Sequence, residues 1–166
     1  MGVSGCGKSS VGERLARVLR IEFIEGDALH PPGNVARMAA GIALTDADRQ
    51  GWLEALARHI AQAQADGRGL VVSCSALKRA YRDVLRGAAA PCFVMLHAPR
   101  SLLQARLAAR VGHYMPASLL DSQLATLEAP DPDENAIDLD AGQPVESSVR
   151  EVLARLRLTP APEAPS

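Results

Sequence analysis

The stretch Gly2-Val3-Ser4-Gly5-Cys6-Gly7-Lys8-Ser9 fits G-x-x-x-x-G-K-[ST] in full, and it constrains this chain more than any other feature. Glycines let successive backbone N–H groups turn inward and approach phosphate oxygens with no Cβ in the way. A helix that follows at once adds its first-turn amides and the positive end of its dipole. Lys8 can then reach the β- and γ-phosphates of a nucleoside triphosphate, and the Ser9 hydroxyl can ligate Mg²⁺. The pattern predicts a triphosphate cradle built from Gly2, Ser4, Gly5, Cys6, Gly7, Lys8, Ser9 and Ser10. It also predicts an α/β fold, because such a loop joins a strand to a helix.

The strand that normally aims the loop is the puzzle. Only Met1 precedes Gly2. A strand there would be central and buried, and its loss would expose apolar surfaces of both neighbours and orphan two rows of backbone groups. The expectation is a reading frame that starts further upstream, with four to six apolar β-formers before Met1, and a less stable protein without them.

Downstream, helix and strand patterns alternate. Val11, Leu15, Val18 and Leu19 recur at helical spacing over 8–20. IEFIE (21–25) is a short strand candidate, and Pro31-Pro32 open a short helix over 31–40. Thr45 or Asp46 caps a long helix to about 66, which Asp66-Gly67 ends. LVVSCS (70–75) and CFVMLH (92–97) read as buried strands. Helices are expected over 77–87, stopped by Gly87, from Pro99 to about Arg110, over 117–128, and from Pro144 to about Leu158. AIDLD (136–140) is a weak strand between a loop at 129–135 and the last helix. Continuous apolar strands between helices indicate a parallel sheet covered on both faces. The chain reads as a single domain over 1–158, with a substrate-binding excursion at about 30–50, a lid at about 110–118 and a disordered tail at 159–166.

Composition excludes several classes. A net charge of −1 and 3% aromatics give no basic surface or stacking platform for nucleic acid. No apolar run approaches the roughly 20 residues of a membrane span. Cys6, Cys74 and Cys92 are widely spaced, which fits neither a disulfide framework nor a zinc site and suits reduced thiols in a cytoplasmic protein. Only Lys8 and Lys78 are lysines among 18 basic residues, so a retained lysine points to a need for a compact ammonium, although for Lys78 alone chance is an equally good explanation.

Several polar residues fall at predicted strand ends, the edge where open α/β sheets bind ligands. Asp27 can accept or orient the proton of an attacking hydroxyl, or serve as a loop cap. His30 can donate to a substrate oxygen or be structural, and Asn34 can meet polyol hydroxyls or cap a helix. Glu25 can hold Mg²⁺ through water or be solvated. Arg49 can pair with Asp46 or Asp48 and only stabilise its turn. Lys78, Arg82 and Arg86 share one helical face, whose plainest reading is a solvated basic surface. Arg106 and Arg110, four apart, can neutralise a phosphoryl group in transit or decorate a helix C-terminus.

Three longer stretches narrow these choices: EGDALHPPGNVARMAAGIALTDADRQGWL (25–53), CSALKRAYRDVLR (74–86) and RLAARVGHYMPASLLDSQLATLEAP (106–130). Together with the phosphate cradle they closely resemble the gluconate kinases of the P-loop kinase group, over nearly the whole chain from Gly2 to about Arg157. Glu25, Ala43, Gly51 and Tyr114 are mild departures from that pattern. The resemblance implies transfer of the ATP γ-phosphoryl to the terminal hydroxyl of D-gluconate, with Mg²⁺, a five-stranded parallel sheet ordered 2-3-1-4-5, a mobile lid and often a homodimer. It implies catalytic roles for Lys8, Asp27, Arg106 and Arg110, and acceptor contacts from Asp27, His30, Asn34, Arg49, Lys78, Arg82 and Gln123, with Arg49 facing the substrate carboxylate. Glu128 reads as structural. Kinases for shikimate or nucleoside monophosphates, and a nucleotide-binding domain without chemistry, stay open as alternatives.

Overall fold

The computed structural model describes residues 1–109 and 119–161. The expected lid at 110–118, including Arg110, and the end of the tail at 162–166 lie outside the described residues.

The described elements follow the predicted alternation. Helix α1 (Lys8–Leu19) leads to strand β1 (Glu22–Glu25), a 3-10 turn (Gly26–Leu29) and helix α2 (Pro32–Ala39). Helix α3 (Asp46–Ala65) precedes strand β2 (Leu70–Ser73) and helix α4 (Arg79–Ala88). Strand β3 (Phe93–His97) is followed by helices α5 (Arg100–Ala108) and α6 (Leu119–Thr126). A 3-10 turn (Pro132–Glu134), strand β4 (Ala136–Asp140) and helix α7 (Val145–Leu156) complete the order.

The strands pair in two parallel halves rather than one continuous sheet. β1 pairs with β2, Glu22 opposite Leu70 through Glu25 opposite Ser73. β3 pairs with β4, Phe93 opposite Ala136 through His97 opposite Asp140. Between the halves lies Met1: its amino group donates to the Val94 carbonyl, its own carbonyl accepts from the Leu96 amide at 3.0 Å, and the Gly2 amide donates to the Ser75 carbonyl at 3.1 Å. The described strands thus form two two-stranded parallel sheets, β1-β2 and β3-β4, in place of the expected five-stranded 2-3-1-4-5 sheet. The halves account for a deviation from the expected burial. Leu70, Val71 and Val72 were expected to be enclosed on both sides, yet they are only half-buried, because among the described residues β2 pairs with a strand on one edge alone.

Two cores cover the two faces. Val11 and Leu15 of α1, Leu103 and Leu107 of α5, and Val149, Val152 and Leu153 of α7 meet Leu96 and Leu139 on one side. Trp52, Leu53 and Leu56 of α3, with Tyr81 and Leu85 of α4, meet Phe93 and Met95 on the other. β4 alternates exposed and buried residues as an edge strand does.

Local details correct the sequence reading in places. Gly87 does not stop α4, which runs on to Ala88; the packing of Tyr81 and Leu85 outweighs the roughly 1 kcal/mol glycine penalty. The tail begins ordered, since the Ala161 amide donates to the Val18 carbonyl of α1 at 3.0 Å. Thr45, not Asp46, caps α3. Its hydroxyl accepts from the Asp48 amide at 3.2 Å, and the Asp48 carboxylate accepts from the Thr45 amide at 2.8 Å. This reciprocal box fixes Asp46 and Arg49 in the first turn of α3.

Candidate active site

The phosphate loop closes on itself. Gly7 is the N-cap of α1, with φ +91°, and a Cβ there would meet nothing within 4 Å. Glycine is needed for that backbone conformation, and the space beside it is open for a ligand. α1 starts at Lys8, so the amides of Lys8, Ser9 and Ser10 have no partner inside the helix. With the dipole behind them they form an anion seat. Lys8 is half-buried and its Nζ donates to the Val3 carbonyl at 3.1 Å, which folds the ammonium back over the loop.

Two side chains from distant helices brace that loop. The Ser4 amide donates to Oε1 of Gln123 on α6 at 2.6 Å. Arg106 on α5 donates to the Ala141 carbonyl at 2.8 Å and reaches the Gly5 carbonyl at 3.5 Å. Gln123 and Arg106 therefore couple α5 and α6, the two helices on either side of 110–118, to the loop.

The acceptor side stands at the carboxyl ends of β1 and β2. Gly26 brings these ends together, because a Cβ on it would collide with the Ser73 carbonyl. The next residue is Asp27, half-buried in the 3-10 turn. Glu25 accepts a hydrogen bond from the Ser73 hydroxyl. Cys74, the residue after this pair, lies within electrostatic reach of Lys8 as well as Asp27 and Glu25. Burial pushes the Cys74 thiol pKa up, which keeps the group neutral.

His30 stacks on Trp52 with ring centroids 4.3 Å apart and planes 14° from parallel. The Trp52 indole donates to the Gly26 carbonyl at 2.7 Å, which ties this stack to the turn carrying Asp27. Nδ1 of His30 is buried with no hydrogen-bond partner, the condition of a group whose partner is a ligand. Burial pushes its pKa down to about 4, with Asp27 opposing and Arg49 assisting. The ring is therefore neutral at pH 7. The unfolded chain binds a proton that the folded one does not between about 6.5 and 4, so this contribution is complete above pH 6.5 and is lost as pH falls. Between pH 7 and pH 5 it costs up to about 2 kcal/mol. His30→Phe, which keeps a ring against Trp52, is expected to flatten the stability loss over that interval in urea titrations. An unchanged slope would show that other groups carry it.

A cavity of about 110 Å³ lies against the first turn of α3 and the start of α4, lined by Leu44, Asp46, Arg49, Lys78, Tyr81 and Gln123 among others. Lys78 Nζ lies 2.8 Å from both carboxylate oxygens of Asp46, and the Tyr81 hydroxyl also donates to Asp46. Arg49 and Lys78 both sit over the Tyr81 ring, 5.8 and 5.6 Å from its centroid. The Lys78 and Tyr81 hydrogen bonds hold the Asp46 carboxyl below its ordinary range. Burial first, then the Asp46 contact, pushes the Tyr81 phenol up. The cavity wall thus carries two cations against one carboxylate. A ligand carboxylate could take Lys78 from Asp46 or share it.

Three expected acceptor residues have other employment. Arg82 is fully buried and its guanidinium forks onto Glu134 at 2.7 and 2.8 Å, with further bonds to the Ala76 and Glu128 carbonyls. It is a structural residue and not a cavity wall, because every donor direction is already taken by a neighbour. Asn34 donates to the Asp48 carbonyl at 2.7 Å, fastening α2 to α3. Gln123 lines the cavity but spends Oε1 on Ser4. Glu128 is structural as expected, accepting from the Arg79 amide at the start of α4. Asp46 and Tyr81 are wall residues that sequence reasoning did not select. The available signal was the spacing of Lys78, at the N-cap of α4, from Tyr81 in its first turn.

The donors that would serve Mg²⁺ are all oxygen: the Ser9 hydroxyl in the first turn of α1 and the carboxylates of Glu25 and Asp27 at the same sheet edge. That set fits a small hard cation held mainly by phosphate and water. No cluster of three or more His, Cys, Asp or Glu suited to a metal occurs among the described residues, and no described helix is long and apolar enough to cross a membrane.

Comparison with known proteins extends these observations. A family model described as an AAA domain matches residues 1–130. A gluconokinase of Gluconobacter oxydans is 52% identical over 138 residues, 82% of this chain and 78% of that protein. The crystal structure of a sugar kinase from Janibacter superposes with TM-score 0.91 at 46% identity, covering 96% of this chain and 93% of the other. A gluconokinase from Sinorhizobium meliloti superposes with TM-score 0.84 at 51% identity, covering 95% and 89%. A shikimate kinase at 18% identity shares the fold, with TM-score 0.67. With a phosphate loop at its start and likeness of this extent to gluconokinases, the chain belongs to the gluconokinase family of P-loop kinases.

Proposed function

We propose that this protein transfers the γ-phosphoryl group of ATP to the terminal hydroxyl of D-gluconate, giving 6-phospho-D-gluconate. The observation that carries the reading is the cavity in which Arg49 and Lys78 flank Tyr81 and which Gln123 joins to Ser4 of the phosphate loop. A guanidinium and an ammonium together favour a sugar acid over a neutral sugar.

The triphosphate lies on the first-turn amides of α1, with Lys8 at its outer phosphates. Mg²⁺, held beside Ser9, neutralises phosphate charge when bound. Arg49 and Lys78 hold the acceptor carboxylate and His30 presents its buried Nδ1 to a hydroxyl. Asp27 orients the terminal hydroxyl and takes its proton as the phosphoryl group moves. Arg106 keeps the loop in register, and Arg110 is assigned to the departing phosphoryl. Positioning and charge neutralisation supply most of the acceleration. The reading includes a homodimer and a cytoplasmic setting, in keeping with three free cysteines.

The test is ADP release with a panel of acceptors: gluconate, shikimate, AMP and glucose. Turnover with gluconate alone is expected. Turnover with shikimate or AMP but not gluconate removes the assignment, and ATP binding without any acceptor-dependent turnover favours a domain that does no chemistry. Asp27→Asn is expected to lower kcat by about 10²–10⁴-fold while ATP affinity stays within about twofold. Equal losses in both would make Asp27 structural.

A further inference from the structure

Asp46 stands on the wall of the acceptor cavity with no part in the reaction assigned above. It is the first residue of α3, and the reciprocal bonds between Thr45 and Asp48 fix the turn that carries it. Its carboxylate reaches across to α4. Lys78 Nζ donates to both of its oxygens at 2.8 Å, and the Tyr81 hydroxyl donates to one of them. The Asp46 side chain is 66% exposed and that of Lys78 30%. Asp46 is thus a rim carboxylate that holds a more deeply seated cation.

Few charges face the cavity. Among the described residues that line it, the charged ones are Asp46, Arg49 and Lys78. The carboxylates nearby are committed elsewhere: Asp48 to the Thr45 amide and hydroxyl and, at 3.6 Å, to Arg37, and Glu128 to the Arg79 amide. His30 is neutral at pH 7, because burial lowers its pKa to about 4. Lys78 has its counter-ion in Asp46. Arg49 is only 8% exposed and rests on the Tyr81 ring, 5.8 Å from its centroid. It feels Asp46 and Asp48 through space, but among the described residues no oxygen accepts a hydrogen bond from its guanidinium. Two cations and one carboxylate leave one positive charge in excess. A single ligand carboxylate neutralises that excess. A phosphate monoester, close to doubly charged at pH 7, overshoots it and meets Asp46 as a like charge.

We propose that Asp46 is a specificity-determining residue of the acceptor site: by neutralising Lys78 it tunes the seat to a sugar monocarboxylate and turns away a polyol that carries a phosphate monoester in the same place. Selection of this kind works through a built-in repulsive element as well as an attractive one. It separates chains of like length and hydroxyl pattern that differ in the anion alone. The role rests on the acceptor carboxylate lying between Arg49 and Lys78, as proposed above.

The test compares the parent protein with Asp46→Asn and Asp46→Glu. Asparagine keeps the shape and an oxygen for Lys78 but not the charge, whereas glutamate keeps the charge. Calorimetry reads the dissociation constants of D-gluconate and D-glucitol 1-phosphate with Mg²⁺ and a non-hydrolysable ATP analogue present, so affinity is measured without turnover. The parent is expected to prefer gluconate. Asp46→Asn is expected to move the ratio of the two constants toward the phosphate by at least about tenfold, with Asp46→Glu within about threefold of the parent. A merely structural role for Asp46 would weaken both ligands alike and leave the ratio where it was. An unchanged ratio in Asp46→Asn overturns the proposal, as does an equal shift in Asp46→Glu or a parent that binds neither ligand. ADP release by the parent, followed in parallel, keeps the two readings apart. Turnover of gluconate with an unchanged ratio removes the role of Asp46 alone. Gluconate binding without turnover removes the phosphotransfer reading and leaves the ratio to decide on Asp46.

Discussion

Arg82→Leu is expected to lower the stability of the fold by about 3–5 kcal/mol, because it leaves Glu134 as an unpaired charge in the interior. Neither side chain exposes any surface, so water cannot take over the lost partner. The guanidinium also serves the Ala76 and Glu128 carbonyls, at 3.2 and 3.0 Å, and those acceptors would be orphaned with the carboxylate. The double variant Arg82→Leu, Glu134→Leu removes the stranded charge and is expected to recover more than half of the loss, leaving the cost of the orphaned carbonyls. Urea titration of the two variants and the parent measures both quantities. Acid acts in the same sense. Arg82 holds the Glu134 carboxyl well below the usual carboxylate range, so its contribution is complete above the unfolded value near 4.3 and is lost as pH falls through the folded one. The pair also reaches the cavity indirectly. It fastens the Ala76–Leu77 segment to the stretch at 128–134, and Lys78 and Tyr81 follow immediately. A variant that loses gluconate affinity with no loss of stability would return Arg82 to the acceptor site.

What could be read from the sequence, and what could not, divides by distance along the chain. The phosphate loop, α1 and the cap at Thr45 are local patterns, and each stands where its residues predict. Arg82 shows the limit. Its spacing from Lys78 and Arg86 placed it on a basic face, but its fate is decided by Glu134, 52 residues away. The same holds for Asp46, which lies 32 and 35 residues from Lys78 and Tyr81 and read only as a cap or a partner for Arg49. The stack of Trp52 on His30 joins residues 22 apart and left no mark in the local pattern. Family resemblance supplied Gln123 as an acceptor contact, whereas the coordinates give its amide oxygen to the phosphate loop.

Lys8→Met is expected to lower kcat/KM for ATP-dependent phosphotransfer by about a thousand-fold or more, with the thermal midpoint shifted by no more than about 4 °C. The two effects differ because the ammonium does different work in the two states. Among the described residues it donates to the Val3 carbonyl alone, at 3.1 Å, from a half-buried position. A bond of that kind contributes about 1 kcal/mol net, and methionine retains most of the aliphatic stem that packs against the loop. With nucleotide the same ammonium must meet charge that builds on the outer phosphates, and a thousand-fold loss corresponds to about 4 kcal/mol of that stabilisation. Lys8→Arg is expected to fare little better, because a planar fork cannot fold back over a tight loop as a compact ammonium does. The preference for arginine at nearly every other basic position makes the retained lysine informative. Comparing kcat/KM and midpoint for both variants separates a catalytic cation from a loop strut. If Lys8→Met kept its turnover but melted early, the ammonium would be a strut, and the triphosphate would have to be held elsewhere.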